Sequence, residues 1–263
     1  MNAPAFLKKA PANAISAELY NGHVSLVRGD FGRKKHAYYL PETNYFVPGV
    51  TSILSCLDKP ALIPWAARMA AEYVKANIGD NPTKAHIEAI CDKAKTEYNK
   101  IKEAAGDIGT QVHIFAEKYF RGEVLADPEN ELVKAGVKAL LDWTRENDIR
   151  PIEVERLCFS QDSFYAGTMD LLASVNGKLS YVDLKTGKGI YKEHLLQSGA
   201  YVNAWQEENK EVIEQIVIVN CNKLTGVAKI KLIDDLNEIQ FYIDTFLRVK
   251  NTHDNLRKME DIL

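Results

Sequence analysis

Residues 169–189 read MDLLASVNGKLSYVDLKTGKG, two apolar runs joined by Asn176-Gly177. Asn-Gly between alternating apolar residues favours a two-residue type I′ loop, because both loop positions need positive φ. With that loop Val175 faces Lys178, and counting back sets Asp170 opposite Asp183. Directly opposite residues share a face, with Cβ atoms about 5 Å apart. Side chains alternate along a strand, so Lys185 points to the same face, opposite Thr168. One end of one sheet face is thus expected to hold two carboxylates, an amine and a hydroxyl. Two facing carboxylates repel, and one takes up a proton unless a cation lies between them. Mg²⁺ suits such a place, since it binds one or two carboxylates together with water and substrate phosphate. The plainer alternative is a structural ion cluster in which Lys185 bridges the aspartates. A three-residue loop would turn Asp170 to the other face.

Working outward, "PIEVERLCFS" (151–160) and "YAGTMDLLASV" (165–175) read as strands ahead of "KLSYVDLKTG" (178–187). A helix over 191–210, a hairpin over 211–233 and a closing helix from 234 follow. Upstream the period is helical. "PGVTSILSCLDKPALIPWAARMAAEYVKAN" (48–77) predicts two pieces, with Thr51 capping the first and Pro60 and Pro64 leading into the second. Trp65, Met69 and Tyr73 in that second piece read as core and not as a base-stacking stripe. In "DNPTKAHIEAICDKAKTEYNKIKEAAG" (80–106), Asn81 is the expected cap, Pro82 the first helical position and Gly106 the end. Asp107 then caps "IGTQVHIFAEKYFRG" (108–122), and 127–148 is a further amphipathic helix. The first forty residues read as irregular or β, with turns at Asn21-Gly22 and around Gly29-Asp30. The order predicts an α/β fold: a mixed central sheet flanked by helices, with an N-terminal helical extension. The expected division is residues 1–106, an N-terminal β or irregular segment and helical region, and 107–263, the core, the whole forming one compact unit.

The 263 residues are 46% hydrophobic and 26% charged with a net charge of −3, an ordinary globular composition that does not advertise nucleic-acid binding. A local basic patch can still supply the field that a cleft needs. "GRKKH" (32–36) is one such cluster, read as a solvated loop with phosphate contact as the alternative. Cys56, Cys91, Cys158 and Cys221 are scattered without metal-site spacing and are expected to be buried reduced thiols. No apolar run nears the ~20 residues of a membrane span. The expected location is cytoplasmic; the acid-poor, alanine-rich start makes a mitochondrial matrix transit peptide the alternative.

"GTMD" (167–170) followed by "YVDLKTG" (181–187), with "GTQVH" (109–113) upstream and "QSGAY" (197–201) downstream, resembles the PD-(D/E)XK (restriction-endonuclease-like) nuclease superfamily. Within it the chain is most similar to the RecB-like branch of phage exonucleases and mitochondrial genome maintenance exonucleases. "VTSIL" (50–54) and "PALIPWAARMAAEYV" (60–74) also resemble phage members, so the similarity runs from about residue 46 to 206. The resemblance implies metal-binding roles for Asp170 and Asp183, with a Leu184 carbonyl as an added ligand, and a catalytic role for Lys185. It implies that His113 completes the metal site and that Gln197 and Tyr201 position substrate or the lysine. The family's first-strand glutamate corresponds to Glu155 or Glu153; these are two apart and share a face, and Glu155 is preferred. Glu117, one turn beyond His113, is a candidate acceptor for the other ring N–H.

The implied activity is Mg²⁺- or Mn²⁺-dependent hydrolysis of DNA phosphodiesters, with one or two ions, by an exonuclease leaving 5′-phosphates. The implied substrate is single-stranded DNA or DNA with free ends, and the implied setting is phage or bacterial replication, recombination or repair alongside proteins of those processes. Residues from about Pro60 to Gly106 would arch over the site and admit a free end. Thr168, Lys188 and Lys192 are the DNA-contact candidates, the lysines and Gly187 lying beside a helix start near Ile190 whose amides suit phosphate. A flexible solvated loop is the alternative for that segment. Iron–sulfur clusters in CRISPR-associated relatives use cysteines clustered near the C-terminus; here Cys221 is the last, so no iron–sulfur cluster is expected. The competing functions are a structure-specific or restriction-type endonuclease and a catalytically silent DNA-binding recombination partner.

Overall fold

A computed structural model describes residues 13–32, 34–260 and 262. It contains two compact units. One joins the described residues up to Cys56 with those from His113 onward, and the other is Leu57–Val112.

The larger unit is built on the 169–189 hairpin. Strands β6 (Tyr165–Val175) and β7 (Lys178–Lys185) turn at Asn176 and Gly177, whose φ values of 53° and 87° are those a type I′ loop requires. Val175 faces Lys178 as expected, and the antiparallel ladder runs back to Leu171 facing Val182. There it stops. β6 goes on beside β5 (Ile149–Ser160), while β7 goes on in parallel beside β8 (Gln215–Asn222) as far as Lys185 facing Asn220. Adding β9 (Val227–Ile233) gives a mixed five-stranded sheet in the order β5-β6-β7-β8-β9. The parallel β7–β8 pair needs a long crossover, and helix α5 (Lys192–Asn209) supplies it.

Both sheet faces are covered, so the central strands are buried nearly throughout. On one face Leu171, Ala173, Val175, Val182, Leu184, Val217 and Val219 pack with Leu140 and Trp143 of helix α4 (Glu131–Arg145). Asn130 caps α4, its side-chain oxygen accepting from the amides of Leu132 and Val133 at 2.9 and 3.3 Å. On the other face lie α5 and the closing helix α6 (Leu236–Glu260), which pack on each other. Tyr165 of β6 donates to the Ala200 carbonyl at 2.8 Å and meets Phe246 ring to ring.

The segment read as irregular or β is a second, antiparallel sheet of β1 (Ile15–Leu19), β2 (Val24–Phe31), β3 (Lys34–Leu40) and β4 (Tyr45–Val47). The Asn21-Gly22 turn forms as expected. Gly29 and Asp30 instead lie within β2 at a register shift, and Gly32, at φ 63°, makes the turn. Leu19, Leu26, Leu40 and Val47 pack against Leu157, Phe159 and Ala166, seating this sheet on β5 and β6. Glu207 of α5 fastens the joint, accepting from the Tyr20 hydroxyl and from the Gln161 and Asp162 amides at 2.8, 2.7 and 3.1 Å. In the basic cluster Lys35 pairs with Asp30 and Lys34 lies over Phe46, while Arg33 falls outside the described residues.

Several helix boundaries depart from expectation. Helix α1 (Val50–Leu54) starts from Gly49 without a side-chain cap, so Thr51 is not its cap. In the smaller unit, α2 (Leu62–Asn77) has no fully buried residue; Trp65, Met69 and Tyr73 are half-buried, Trp65 meeting Tyr98 edge to face at 6.4 Å. Helix α3 starts at Lys84 with Thr83, and not Asn81, accepting the His86 amide. It then runs unbroken to Phe120, through Gly106 and Asp107 where an end and a new cap were expected. A mid-helix glycine costs only about 1 kcal/mol, too little to stop a helix stabilised on both sides. The boundary between the units accordingly falls within α3, at Val112–His113, and not at residue 106. Two of the four thiols, Cys56 and Cys91, are exposed, contrary to expectation; Cys158 and Cys221 are buried.

Candidate metal centre

The site forms where β6 and β7 part. Glu155 and Asp170 are opposite by count, yet both are missing from the β5–β6 ladder, which keeps its register on either side of them and shifts only between Pro151 and Glu153. Glu155 has φ 51°, a left-handed backbone that a glutamate adopts at a cost of about 1 kcal/mol or more. Its effect is visible on either side. Val154 packs with the α4-side core, whereas Arg156, two residues on, reaches Glu208 of α5 at 2.7 Å and the Trp205 ring. A regular strand would put both on one face. β6 slips at the same level: Gly167 lies against Tyr201 of α5, but Leu171 belongs to the α4-side core.

This slip corrects the expectation that Asp170, Asp183, Lys185 and Thr168 line one face in simple alternation. Asp170 points into the gap between the strands, where its Oδ2 accepts the Leu184 amide at 2.8 Å. A side chain thus satisfies an amide that the ended ladder leaves open. Its Oδ1 lies 3.6 Å from Nδ1 of His113 on α3. Asp183 faces α5 with Tyr181, and its Oδ1 receives Lys185 Nζ at 2.6 Å and the Tyr181 hydroxyl at 3.0 Å. Thr168 is not beside Lys185 in a ladder; its hydroxyl is 3.0 Å from that of Tyr38 on β3.

Among the described residues, the one group of three His, Cys, Asp or Glu able to hold a single ion is His113, Glu155 and Asp170, with ligand atoms within 4.8 Å of one another. Two oxygens and an imidazole suit Mg²⁺ or Mn²⁺ better than a soft metal. Asp183 is outside that group, but its Oδ2 is buried without a hydrogen-bond partner. An acceptor in that state is costly unless a cation faces it. The residues therefore fit a divalent cation held by His113, Glu155 and Asp170, with Asp183 as the nearby third acid.

The electrostatics point the same way. Burial works against charge on Asp170, but His113, Lys185 and the Leu184 amide outweigh it and hold Asp170 below the usual carboxylate range. Burial, with the charge of Asp170, pushes Asp183 up despite Lys185 and Tyr181. Burial disfavours the His113 imidazolium, yet Asp170 more than compensates and raises its pKa. Glu155 is pushed up to about 7, by burial first and then by Asp170.

Glu155 gives a testable sign. Its folded pKa lies above its unfolded one, so the folded state holds the extra proton between pH about 4.5 and about 7. The stability this contributes is present in full below that window and lost as pH rises through it. In EDTA, Glu155→Gln is therefore expected to melt above wild type at pH 8, by up to about 3 kcal/mol, and level with it at pH 4.5. Equal melting curves at both pH values would remove the shift.

Other candidates fall near the centre or away from it. Gln197 donates to the Tyr201 hydroxyl at 3.1 Å on one face of α5, and Tyr201 meets Tyr181 edge to face. Glu153 does not join Glu155; it pairs with Arg156. Glu117 pairs with Arg121 at 3.1 Å and is not the partner of His113. Lys188 and Lys192 are exposed, and α5 begins at Lys192, with the Tyr191 amide donating to Nδ1 of His194. The sequence reading missed Tyr181, although alternation alone sets it on the face of Asp183. It also missed Tyr38, which only the tertiary fold brings to Thr168. No helix among the described residues is long and apolar enough to cross a membrane. Comparison with protein-family models finds no match, and comparison with curated proteins finds none either.

Proposed function

We propose that this chain is a metal-dependent DNA nuclease of the PD-(D/E)XK type, acting on DNA with free ends. One observation carries the reading: His113, Glu155 and Asp170 converge within 4.8 Å at the strand gap beside the buried Asp183–Lys185 pair. Three acids, a histidine and a lysine so close are electrostatically costly without a cation and suited to phosphodiester hydrolysis with one.

In this reading water attacks phosphorus, the bond to the 3′ oxygen breaks, and the products are a 3′-hydroxyl and a 5′-phosphate. A Mg²⁺ or Mn²⁺ bound there would supply positive charge to a phosphate oxygen and acidify water. His113, Glu155 and Asp170 would hold the ion, Asp170 being fixed in direction by the Leu184 amide. Lys185, aimed by Asp183, neutralises charge that builds on the phosphate. Tyr181 shares the Asp183 oxygen with Lys185 and keeps the carboxylate from turning. Gln197 and Tyr201 line the same side and orient substrate.

The test is a time course on end-labelled linear single- and double-stranded DNA with Mg²⁺ or Mn²⁺, beside covalently closed single-stranded circles. Linear strands are expected to shorten from an end while circles persist, and Lys185→Ala to leave both intact. Cut circles would favour the endonuclease alternative. Intact DNA of every kind, with either metal, would leave a silent DNA-binding role.

A further inference from the structure

The N-terminal sheet reaches the candidate centre by a route that its sequence does not announce. Arg28 of β2 lies opposite Tyr38 of β3, so the two side chains share a face. That face is turned toward β5 and β6, because the Tyr38 hydroxyl is 3.0 Å from that of Thr168. Thr168 faces Leu157 in the β5–β6 ladder, and Asp170 and Glu155 each lie two residues further along the same two strands, about 7 Å away. An arginine side chain spans such a distance. Arg28 is half-buried. Its charge reaches Glu155 and Tyr38, opposing in part the rise that burial gives the pKa of each.

We propose that Arg28 is a phosphate-binding residue of this site, its guanidinium taking a backbone phosphate of the DNA strand beside the metal-binding acids. The proposal rests on the nucleolytic reading. The acids of the centre would repel a polyanion, and the nearest cations are already engaged, His113 with Asp170 and Lys185 with Asp183. Arg28 comes from the opposite wall and carries a planar, permanently charged fork that matches two phosphate oxygens. The Tyr38–Thr168 contact fixes where that fork enters. Thr168, a DNA-contact candidate from the sequence, also anchors the strand that brings the arginine in.

The experiment measures binding of a fluorescein-labelled 20-nucleotide single-stranded DNA by anisotropy, with Ca²⁺ in place of Mg²⁺ and over a range of salt. Each phosphate contact adds about 0.7 to the slope of log affinity against log salt for a single strand. Arg28→Gln is expected to lower that slope by about 0.7 and to weaken binding about tenfold at low salt. Arg28→Lys keeps the charge, and is expected to restore the slope but not the full affinity. Thermal melts check folding, and if Arg28→Gln is unfolded the lysine variant still decides, by weaker binding at an unchanged slope. A folded Arg28→Gln with wild-type slope and affinity overturns the assignment while leaving the nuclease intact, and so does an Arg28→Lys that binds as wild type where Arg28→Gln is unfolded. A wild-type protein that neither binds nor cuts DNA overturns the nuclease reading, and the assignment with it.

Discussion

Asparagine in place of Asp170 is expected to lower DNA cleavage about a thousandfold or more, and to erase the rise in melting temperature that Mn²⁺ gives the wild-type protein. The substitution separates charge from architecture. The asparagine oxygen can still accept the Leu184 amide that Asp170 takes at 2.8 Å, so the strand gap keeps its shape. The negative charge that draws His113 and a cation is lost. Interactions of a catalytic ion with its substrate are worth several kcal/mol, and about 4 kcal/mol corresponds to a thousandfold in rate. An ion that binds only the folded protein stabilises it by about 2.7 kcal/mol at a hundred times its dissociation constant. For a chain of this size that is about 5–10 °C. Differential scanning fluorimetry with and without Mn²⁺ reads this shift even if no DNA substrate is ever found. Asp170→Asn also removes the charge that His113 and Lys185 stabilise, so the variant in EDTA is expected to melt somewhat below wild type, and the test reads the Mn²⁺-dependent rise within each protein. A full Mn²⁺ shift in Asp170→Asn would show that the ion binds elsewhere, and would sink the metal centre.

The parts of this site that were legible in the sequence are those that local rules govern. Asn176-Gly177 has one favourable loop geometry, so Val175 had to face Lys178, and the hairpin register followed. Gln197 and Tyr201 are four apart on a helix, and they bond to each other. Where alternation was carried further along the strands it failed, because Glu155 is left-handed and Asp170 leaves the ladder opposite it. Nothing within a few residues of Glu155 signals that conformation. It coincides with the meeting of His113 and Asp170 from other elements, and backbone strain of this kind gathers where a site over-determines its residues. Glu153 and Glu155 looked equivalent for the same reason; the slip sends one to Arg156 and the other to the centre. The N-terminal sheet was visible only as turns, and its wall on the site depends on contacts between residues more than a hundred apart, such as Tyr38 with Thr168. Gly106 misled in the opposite direction. A glycine is a good end signal only when the next residues cannot continue the helix, and these can.

Gly199 is a glycine that the packing does require, and Gly199→Ala is expected to destabilise the protein by about 3 kcal/mol. A Cβ at this position would sit 2.7 Å from the Tyr242 carbonyl carbon and 2.8 Å from the Ile243 nitrogen and the Tyr242 oxygen. All three are backbone atoms of α6, so no side-chain rotation relieves the contact. Either α5 or α6 must shift, and overpacking of this kind lies at the upper end of about 1–3 kcal/mol. The expected fall in melting temperature is about 6–12 °C. The sign makes the test sharp. Gly199 is inside α5, and by helix propensity alone alanine there would stabilise by about 1 kcal/mol. Gly106→Ala supplies the matching control, because a Cβ there meets open space on a helix of the same kind. It should melt above wild type, and Gly199→Ala well below it. A Gly199→Ala protein that also melts higher would mean that the two helices do not approach this closely. Tyr201, two residues along α5, lies against Gly167, where a Cβ would come within 2.2 Å of its ring. Any movement of α5 that accommodates the methyl group therefore displaces Tyr201 from β6 and Gln197 with it. A Gly199→Ala protein refolded at low temperature should consequently lose cleavage activity while the His113, Glu155 and Asp170 group still gives its Mn²⁺-dependent rise in melting temperature.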